Sequence, residues 1–285
     1  MIKDYSKVVK EIRNSLKTYL LDNPNLKSLI LGVSGGMDSC ICAALAKPVC
    51  DELGIPIIGR SLPISTNAQD EIDRAQLTGR AFCHNFKEVD LKEYFTNMSF
   101  DINVYPEKSK DRSDEDVKAW KIRNGNIKAR LRMIYLYNLA STNSGIVLST
   151  DNYTEYLLGF WTLHGDVGDY GMIQELWKTE VYDMAEWMAE NDCEFLDQRT
   201  AIEMTIEALA TDGLGVSNLG DLGQILPDFE GNSRDGYKIV DKKLQDYLEG
   251  NVMFSADDPV IKRHLNSAFK RKNPFNLKRE DIVKE

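Results

Sequence analysis

The first third of the chain alternates between helical and strand-like patterns of hydrophobic and polar positions. Apolar residues recur at helical spacing over residues 5–20, and Asp22-Asn23-Pro24 then supplies residues that favour a turn. Short apolar runs at 28–33 and 55–62 are typical of buried strands, while residues 40–50 between them have a helical pattern. Two strands joined in this way predict a βαβ unit.

The alternation continues as far as residue 150. A further helix is predicted at 68–82 and further strands at 85–90 and 145–150, with a polar loop over 96–112. Because parallel neighbours need crossover connections, this order predicts an α/β fold, a doubly wound parallel sheet with flanking helices. Ligands are then expected at the carboxyl ends of the strands.

A long helix is predicted after the polar loop. Ser113 and Asp116 have the spacing of a capping box, which marks the start of a helix. Apolar residues at helical spacing follow as far as Leu139, although Gly125 could interrupt this helix.

Beyond residue 175 the pattern becomes helical. The candidate helices are 178–190, 200–209, 239–248 and 259–272. The glycine-rich stretch 211–236 predicts a mobile loop, which is either a lid over a site or a tolerated surface excursion. We therefore expect one domain over residues 1–285, with a helical C-terminal part.

Composition restricts the class of protein. Of the 285 residues, 42% are hydrophobic and 28% charged, and the formal net charge is −10. This acidic balance opposes general nucleic-acid binding. The sequence has neither a run of roughly 18 apolar residues nor a signal sequence, which predicts a cytoplasmic protein without membrane contact. The five cysteines lack a C-x-x-C pair, so we expect them to be reduced.

A glycine-rich turn follows the first predicted strand and has the sequence Ser34-Gly35-Gly36-Met37-Asp38-Ser39. Free N–H groups at the start of a helix bind phosphate, and glycines let the backbone approach the anion closely. Asp38 is unfavourable beside phosphate unless it holds a bridging cation such as Mg²⁺. The alternative is a structural turn in which Asp or Ser caps the helix.

This hexapeptide resembles the S-G-G-x-D-S motif of the N-type ATP pyrophosphatases, which cleave ATP between the α and β phosphates. Four later segments resemble ammonia-dependent NAD synthetases: 125–133 (G-N-x-x-A-R-x-R-M), 150–155 (T-D/G-x-x-x-E), 159–168 (G-F-F-T-K-x-G-D-G-G) and 270–274 (the end of H-K-R-x-x-P). The resemblance implies an adenine nucleotide alpha hydrolase-like, flavodoxin-like fold. It also implies the ATP-dependent amidation of deamido-NAD to NAD through an adenylated intermediate, with release of AMP and pyrophosphate.

The resemblance further implies roles for individual residues. Asp38 and Glu155 would bind Mg²⁺, while Asp166, near the ammonia site, and Lys178 would be catalytic. ATP, the cosubstrate, would be bound by Gly32, Val33, Ser34, Gly35, Gly36, Met37, Asp38, Ser39, Arg60, Thr150 and Lys178. Deamido-NAD would be bound by Asn126, Arg130, Tyr137, Asp166, Lys270 and Arg271. A homodimer is expected, with free ammonia as a substrate and no glutaminase domain.

Segment 159–168 departs from the family pattern, and we interpret His164 as the replacement of a lysine and Val167 as the replacement of a glycine. Two alternatives therefore stay open. One is another ATP pyrophosphatase, GMP synthetase-like or tRNA-modifying, although no basic RNA surface or catalytic cysteine pattern is indicated. The other is a homologue that binds nucleotide without turnover.

Overall fold

A computed structural model of the protein describes residues 2–65, 67–102, 113–210, 220–251, 255 and 257–283. The strands of this part of the chain are β1 (Ser28–Gly32), β2 (Ile57–Ser61), β3 (Asn85–Glu88), β4 (Gly145–Ser149) and β5 (Tyr170–Gly171). The helices are α1 (Tyr5–Asp22), α2 (Met37–Leu53), α3 (Gln69–Phe82), α4 (Lys92–Asp101), α5 (Asp114–Thr142), α6 (Tyr153–Leu158), α7 (Lys178–Asn191), α8 (Leu196–Ile206), α9 (Ser233–Leu248), α10 (Pro259–Asn266) and α11 (Arg279–Ile282). Single 3₁₀ turns lie at Leu222–Gln224 and Lys270–Lys272.

The strands form one parallel sheet in the order β3-β2-β1-β4-β5. β1 is central, and its Leu29 lies opposite Ile57 of β2 and Ile146 of β4. The chain winds outward from β1 to β3, then returns to place β4 and β5 on the other side. The order therefore reverses between β1 and β4, and a crevice for ligands is expected at the carboxyl ends of those two strands. The prediction of a doubly wound α/β fold is confirmed.

The two faces of the sheet are buried under different helices. Leu29 and Leu31 of β1 face a core that includes most of α2, whereas Ile30 faces a second core with Leu136 and Ala140 of α5. Successive strand residues point to opposite faces, so the continuous apolar run of β1 serves both cores. This packing fixes β1, α2 and α5 around the reversal point.

Several boundaries differ from the sequence predictions. α4 occupies residues 96–101 of the predicted loop, and residues 103–112 lie outside the described part. α5 runs without a break through Gly125, because packing in a 29-residue helix outweighs the roughly 1 kcal/mol that glycine costs there. The predicted capping box of Ser113 is confirmed, with its hydroxyl 3.2 Å from the N of Asp116.

The C-terminal half also needs corrections. The predicted loop 211–236 is wrong at its end, since α9 begins at Ser233, and residues 211–219 lie outside the described part. The helix predicted at 259–272 ends at Asn266. α6 and β5 were not predicted, because six and two residues are too few to establish a period. None of the described helices is long and apolar enough to cross a membrane.

Candidate active site

The turn between β1 and α2 is compact and internally bonded. Gly35 has φ +84°, and a Cβ there would lie 2.1 Å from the carbonyl oxygen of Glu71, so only glycine fits. The Ser34 and Ser39 hydroxyls are 3.1 Å apart, and the N–H of Gly36 donates to Ser34 Oγ at 3.2 Å. The first N–H groups of α2 have no acceptor within the helix, so this turn can hold a phosphate.

Three charged side chains from distant parts of the sequence meet beside this turn. Lys178, the first residue of α7, donates to Asp38 of α2, and its Nζ lies 3.3 Å from Glu155 Oε1 of α6. Asn152 donates from Nδ2 to Asp38 Oδ1 at 3.1 Å and also caps α6. The side chains of Lys178, Asp38 and Glu155 are 4%, 18% and 16% exposed, so the ion cluster is largely shielded from solvent.

Burial and mutual charge set the protonation of this cluster. Burial raises the pKa of Glu155 to about 7, because the favourable charge of Lys178 is insufficient to offset it and Asp38 repels a second negative charge. Burial alone would lower the pKa of Lys178, but the attraction of Asp38 and Glu155 outweighs that effect and holds the pKa well above its usual value. Lys178 is therefore a permanent cation, whereas Glu155 can titrate near neutrality.

The carboxylates of Asp38 and Glu155 supply only part of the set of ligands that a magnesium ion needs. Both approach one point, the Nζ of Lys178, and both offer the hard oxygen donors that Mg²⁺ prefers. Among the described residues no group of three or more His, Cys, Asp or Glu side chains is arranged to hold a metal. Mg²⁺ is commonly bound by one or two carboxylates together with phosphate oxygens, and Asp38 with Glu155 fits that mode.

Two cavities border the cluster. The larger, of about 380 Å³, is lined by these predicted site residues: Gly32, Val33, Ser34, Asp38, Ser39, Arg60, Asn126, Thr150, Glu155, Asp166 and Lys270. The smaller, of about 120 Å³, is lined by Ser34, Gly35, Gly36, Met37, Asp38, Glu155 and Lys178. Since Ser34, Asp38 and Glu155 border both cavities, the carboxylates stand where the two spaces meet. The fold thus brings together most residues that the motifs single out.

Asp166 also lines the larger cavity. Its Oδ1 accepts the N–H of Thr162 at 2.7 Å, and the Thr162 hydroxyl donates to Asn126 Oδ1 at 2.8 Å. Although solvent reaches the side chain, crowding of the carboxylate by protein atoms raises the pKa of Asp166. Lys270 lines the same cavity, but its ammonium donates to the carbonyl of Gly159 at 2.7 Å. These contacts hold the 159–168 segment against the cavity.

Arg60 also lines the larger cavity. It is 6% exposed, and its Nη1 donates to Gly59 O at 2.7 Å and to Asn85 Oδ1 at 3.1 Å. Its Nε is buried without a hydrogen-bond partner among the described residues. A buried unpaired donor is costly, so Arg60 Nε is a donor for which this arrangement supplies no acceptor.

Three predicted residues line neither cavity. Arg130 donates to Leu163 O at 3.0 Å, and the Tyr137 hydroxyl donates to Asp169 Oδ1 at 2.8 Å. Arg271 donates to the carbonyls of Leu157 at 2.6 Å and of His264 at 2.9 Å. In this arrangement all three fasten loops or helix ends.

The motifs did not single out Asp151 or Asn152 as site residues. Asp151 lines the larger cavity, and burial, reinforced by the charges of Glu155, Asp166 and Asp38, raises its pKa well above the usual range. Asn152 could have been found, since Asn followed three residues later by Glu is a helix-start signal. Its bond to Asp38 depends on tertiary packing and leaves no trace in the sequence.

The interpretation of His164 as the replacement of the family's lysine is wrong. Counted from Gly159, the lysine of G-F-F-T-K-x-G-D-G-G falls at Leu163, while His164 occupies the variable position. Val167 does stand at a glycine position. His164 has a positive φ of 55°, in the left-handed region, whereas Val167 is not among the described non-glycine residues with positive φ. The valine therefore adds no strain from a left-handed backbone.

A doubly wound sheet with a phosphate-type turn at its reversal point defines a nucleotide-binding α/β protein. The sequence model of the NAD synthase family matches residues 8–212. The chain belongs to the NAD synthase family, and the predicted NAD synthetase, a ligase, is confirmed at the level of the family.

Individual relatives agree with this assignment. The NH(3)-dependent NAD(+) synthetase of Finegoldia magna is 28% identical over 271 residues, which cover 94% of this chain and 95% of that protein. That of Thermoplasma volcanium is 30% identical over 281 residues, covering 96% and 98%.

Solved structures share the fold. The NMN synthetase of Francisella tularensis matches with a TM-score of 0.71 at 20% identity, over 97% of this chain and 100% of that one. The NH3-dependent NAD synthetase of Campylobacter jejuni, in complex with the nitrate ion, matches with a TM-score of 0.67 at 20% identity and the same coverage. The predicted fold class is confirmed by these likenesses.

Proposed function

We propose that the protein is an ammonia-dependent NAD synthetase, which uses ATP to convert deamido-NAD to NAD and releases AMP and pyrophosphate. The observation that carries this proposal is the meeting of Asp38, Glu155 and Lys178 beside the phosphate-type turn, with Asp166 lining the cavity that Asp38 and Glu155 also border. This arrangement provides a phosphate site and a candidate base within one space, as a reaction in two steps requires.

The first step is the activation of the nicotinate carboxylate. The β and γ phosphates of ATP would lie in the smaller cavity, against the turn at Gly35–Gly36 and the ammonium of Lys178. Asp38 and Glu155 would hold Mg²⁺, which neutralises phosphate charge when it is bound. A carboxylate oxygen attacks the α phosphorus, the bond to the β phosphate breaks, and pyrophosphate leaves. Lys178 stabilises the negative charge that develops on the leaving group.

The second step is amidation. Ammonia attacks the adenylated carbonyl carbon, the C–O bond to AMP breaks, and one proton must leave the nitrogen. Asp166 is the group that would hold ammonium and accept the proton whose loss gives the attacking ammonia, and the proton that leaves the nitrogen after attack passes to solvent. The raised pKa of Asp166 brings it nearer to the range of an effective base. The relatives named as NH(3)-dependent support free ammonia as the nitrogen donor.

We also propose that two copies form a homodimer in the cytoplasm through α4 and α5. Tyr94 and Phe100 of α4 and Ile134 of α5 are exposed apolar side chains. Because α4 contacts α5, these side chains belong to neighbouring helices, and apolar exposure on neighbouring elements is characteristic of interaction surfaces. Light scattering after size-exclusion chromatography tests this proposal, which predicts twice the 32.4 kDa chain mass, and Phe100→Glu should shift the protein towards monomer.

A coupled assay tests the activity. Purified protein with ATP, Mg²⁺, ammonium and deamido-NAD should form NAD and AMP in equal amounts. Turnover only with nicotinate mononucleotide, whose amidation gives NMN, would keep the chemistry but change the substrate. AMP formed only with xanthosine monophosphate or tRNA would favour another ATP pyrophosphatase, and ATP binding without turnover would favour a non-catalytic homologue.

A further inference from the structure

Helix α9 joins α6 to α7 through one buried carboxylate. Asp241 of α9 is 2% exposed. Its Oδ1 accepts the hydroxyl of Thr154 in α6 at 2.6 Å, and its Oδ2 accepts the N–H of Thr179 in α7 at 2.9 Å. The two oxygens of a single side chain therefore bind two different helices.

Thr154 completes this connection. It is fully buried, and while its hydroxyl donates to Asp241 it also accepts the backbone N–H of Lys178 at 2.9 Å. The residue at the N-cap of α7, Trp177, offers no side-chain acceptor to the helix. Thr154 and Asp241 thus take over the capping of the first two N–H groups of α7, and a carboxylate is favourable at that helix end.

The bonded atoms adjoin the ion cluster directly. Thr154 precedes Glu155 in α6, and Thr179 follows Lys178 in α7. A buried carboxylate is costly unless it is hydrogen-bonded. A shift of α6 relative to α7 that broke a hydrogen bond of Asp241 would therefore cost free energy. The spacing of α6 and α7 determines where the Glu155 carboxylate and the Lys178 ammonium meet.

The same helix also contacts the side chain of Lys178. Tyr237, one turn before Asp241, is fully buried, and its ring centroid lies 5.5 Å from Lys178 Nζ. A cation near a ring face is attracted to it. α9 therefore contacts both the backbone at the start of α7 and the ammonium that projects from it.

We propose that Thr154 and Asp241 are positioning residues for the reaction, which fix Lys178 and Glu155 at the spacing needed to hold the leaving pyrophosphate. This inference rests on the proposed function. A displacement of about 1 Å in a reacting constellation can lower the rate roughly 100-fold, so the loss of one bond in this network should appear in kcat.

The test compares two substitutions at one position. Thr154→Val keeps the shape of the side chain and removes the hydroxyl, while Thr154→Ser keeps the hydroxyl. We expect Thr154→Val to lower kcat about 100-fold with the KM for deamido-NAD within about threefold of wild type, and Thr154→Ser to stay within about threefold in kcat. Asp241→Asn, which keeps the shape but loses one acceptor, should resemble Thr154→Val. The control is Thr78→Val, which changes a fully buried threonine of α3 outside both cavities and should leave kcat unchanged.

A lower unfolding temperature with unchanged kcat in Thr154→Val would overturn the inference, as would an equal loss in Thr154→Ser. Failure of the proposed function is distinguishable, because then the wild type itself would form no NAD. In that event calorimetric binding of Mg²⁺-pyrophosphate decides the matter: Thr154→Val should weaken binding about tenfold while Thr154→Ser should not. Equal affinity in both variants would reject the positioning role.

Discussion

The two ends of the site differ in how the protein holds the residues that the motifs predict. At the phosphate end, Asp38, Glu155 and Lys178 are shielded from solvent and bonded to one another. At the dinucleotide end, Arg130 and Tyr137 bond to loop atoms outside both cavities. The charged residues of the first end meet within one chain, whereas only three of the six residues predicted for the second end, Asn126, Asp166 and Lys270, line the larger cavity. Substitutions at the phosphate end should therefore have larger effects than substitutions of Arg130 or Tyr137.

The largest effect is expected for Asp38→Ala. Asp38 binds Lys178 and is a proposed ligand of Mg²⁺, so its loss should lower the rate of pyrophosphate release by about 1,000-fold. The fold should persist, because Lys178 keeps Glu155 as a partner. Steady-state assays of AMP and pyrophosphate, with circular dichroism for folding, measure both.

The control for this prediction is Asp73→Ala, which removes an exposed carboxylate of α3. Its activity should equal that of wild type. A folded Asp38→Ala protein with a near-normal rate would show that Asp38 does not hold the metal. It would also show that the two ends of the site do not differ in their sensitivity to substitution.

Asp166→Asn should have the next largest effect, and a selective one. The amide still accepts the N–H of Thr162, so the 159–168 segment should stay in place, but it cannot take up a proton from ammonium. Loss of general-base catalysis should slow NAD formation about 100-fold and slow pyrophosphate release much less. Single-turnover assays, in which pyrophosphate release does not wait for amidation, measure the two rates separately. An equal decrease in both products would contradict the ammonia role.

Glu155→Gln tests the electrostatics of the phosphate end through stability. The pKa of Glu155 is raised to about 7 in the folded protein, compared with about 4.3 for an ordinary glutamate. The folded state therefore holds the proton more tightly, and the wild type loses this contribution to stability as the pH rises from about 4.5 to about 7. Glutamine does not titrate, so the free energy of unfolding of the variant relative to wild type should increase over that range.

Urea denaturation at pH 5, 6, 7 and 8 provides the measurement. Glu203→Gln, in the exposed ion pair of α8, serves as the matched control and should show no comparable trend. A difference between Glu155→Gln and wild type that stays constant with pH would mean that Glu155 is not desolvated as the structure indicates.

The fold could be predicted where burial leaves a periodic trace. β1, β2 and β4 are apolar runs, and α2 and α3 follow with helical spacing, so the βαβ alternation was visible. The two residues of β5 carry no period, and the continuity of α5 through Gly125 depends on packing against the sheet. Elements of that kind depend on tertiary contacts that the sequence does not display.

In the site, too, residues within motifs could be predicted from the sequence, whereas contacts made by tertiary packing could not. Asp38 and Glu155 each lie in a short motif of consecutive residues, and the resemblance to the family predicted that the two share a Mg²⁺ site. The same resemblance identified Lys178. Thr154 and Asp241 are 87 positions apart and share no motif, although they bond at 2.6 Å. Their relation arises only when α9 packs beside α6 and α7. Sequence therefore indicated the charged groups but not the network that holds them.

The smallest effect is expected for Tyr137→Phe, at the dinucleotide end. The hydroxyl bonds to Asp169, whose other oxygen accepts the N–H of Val147 at 2.9 Å, so Asp169 keeps a partner when the hydroxyl is removed. The change should cost about 1 kcal/mol of stability and alter the KM for deamido-NAD by less than about threefold. Initial rates over a range of deamido-NAD concentrations decide this. A tenfold or larger increase in KM with unchanged kcat would show that Tyr137 binds the dinucleotide, so a second copy or a movement of the 159–168 segment would have to complete the pocket.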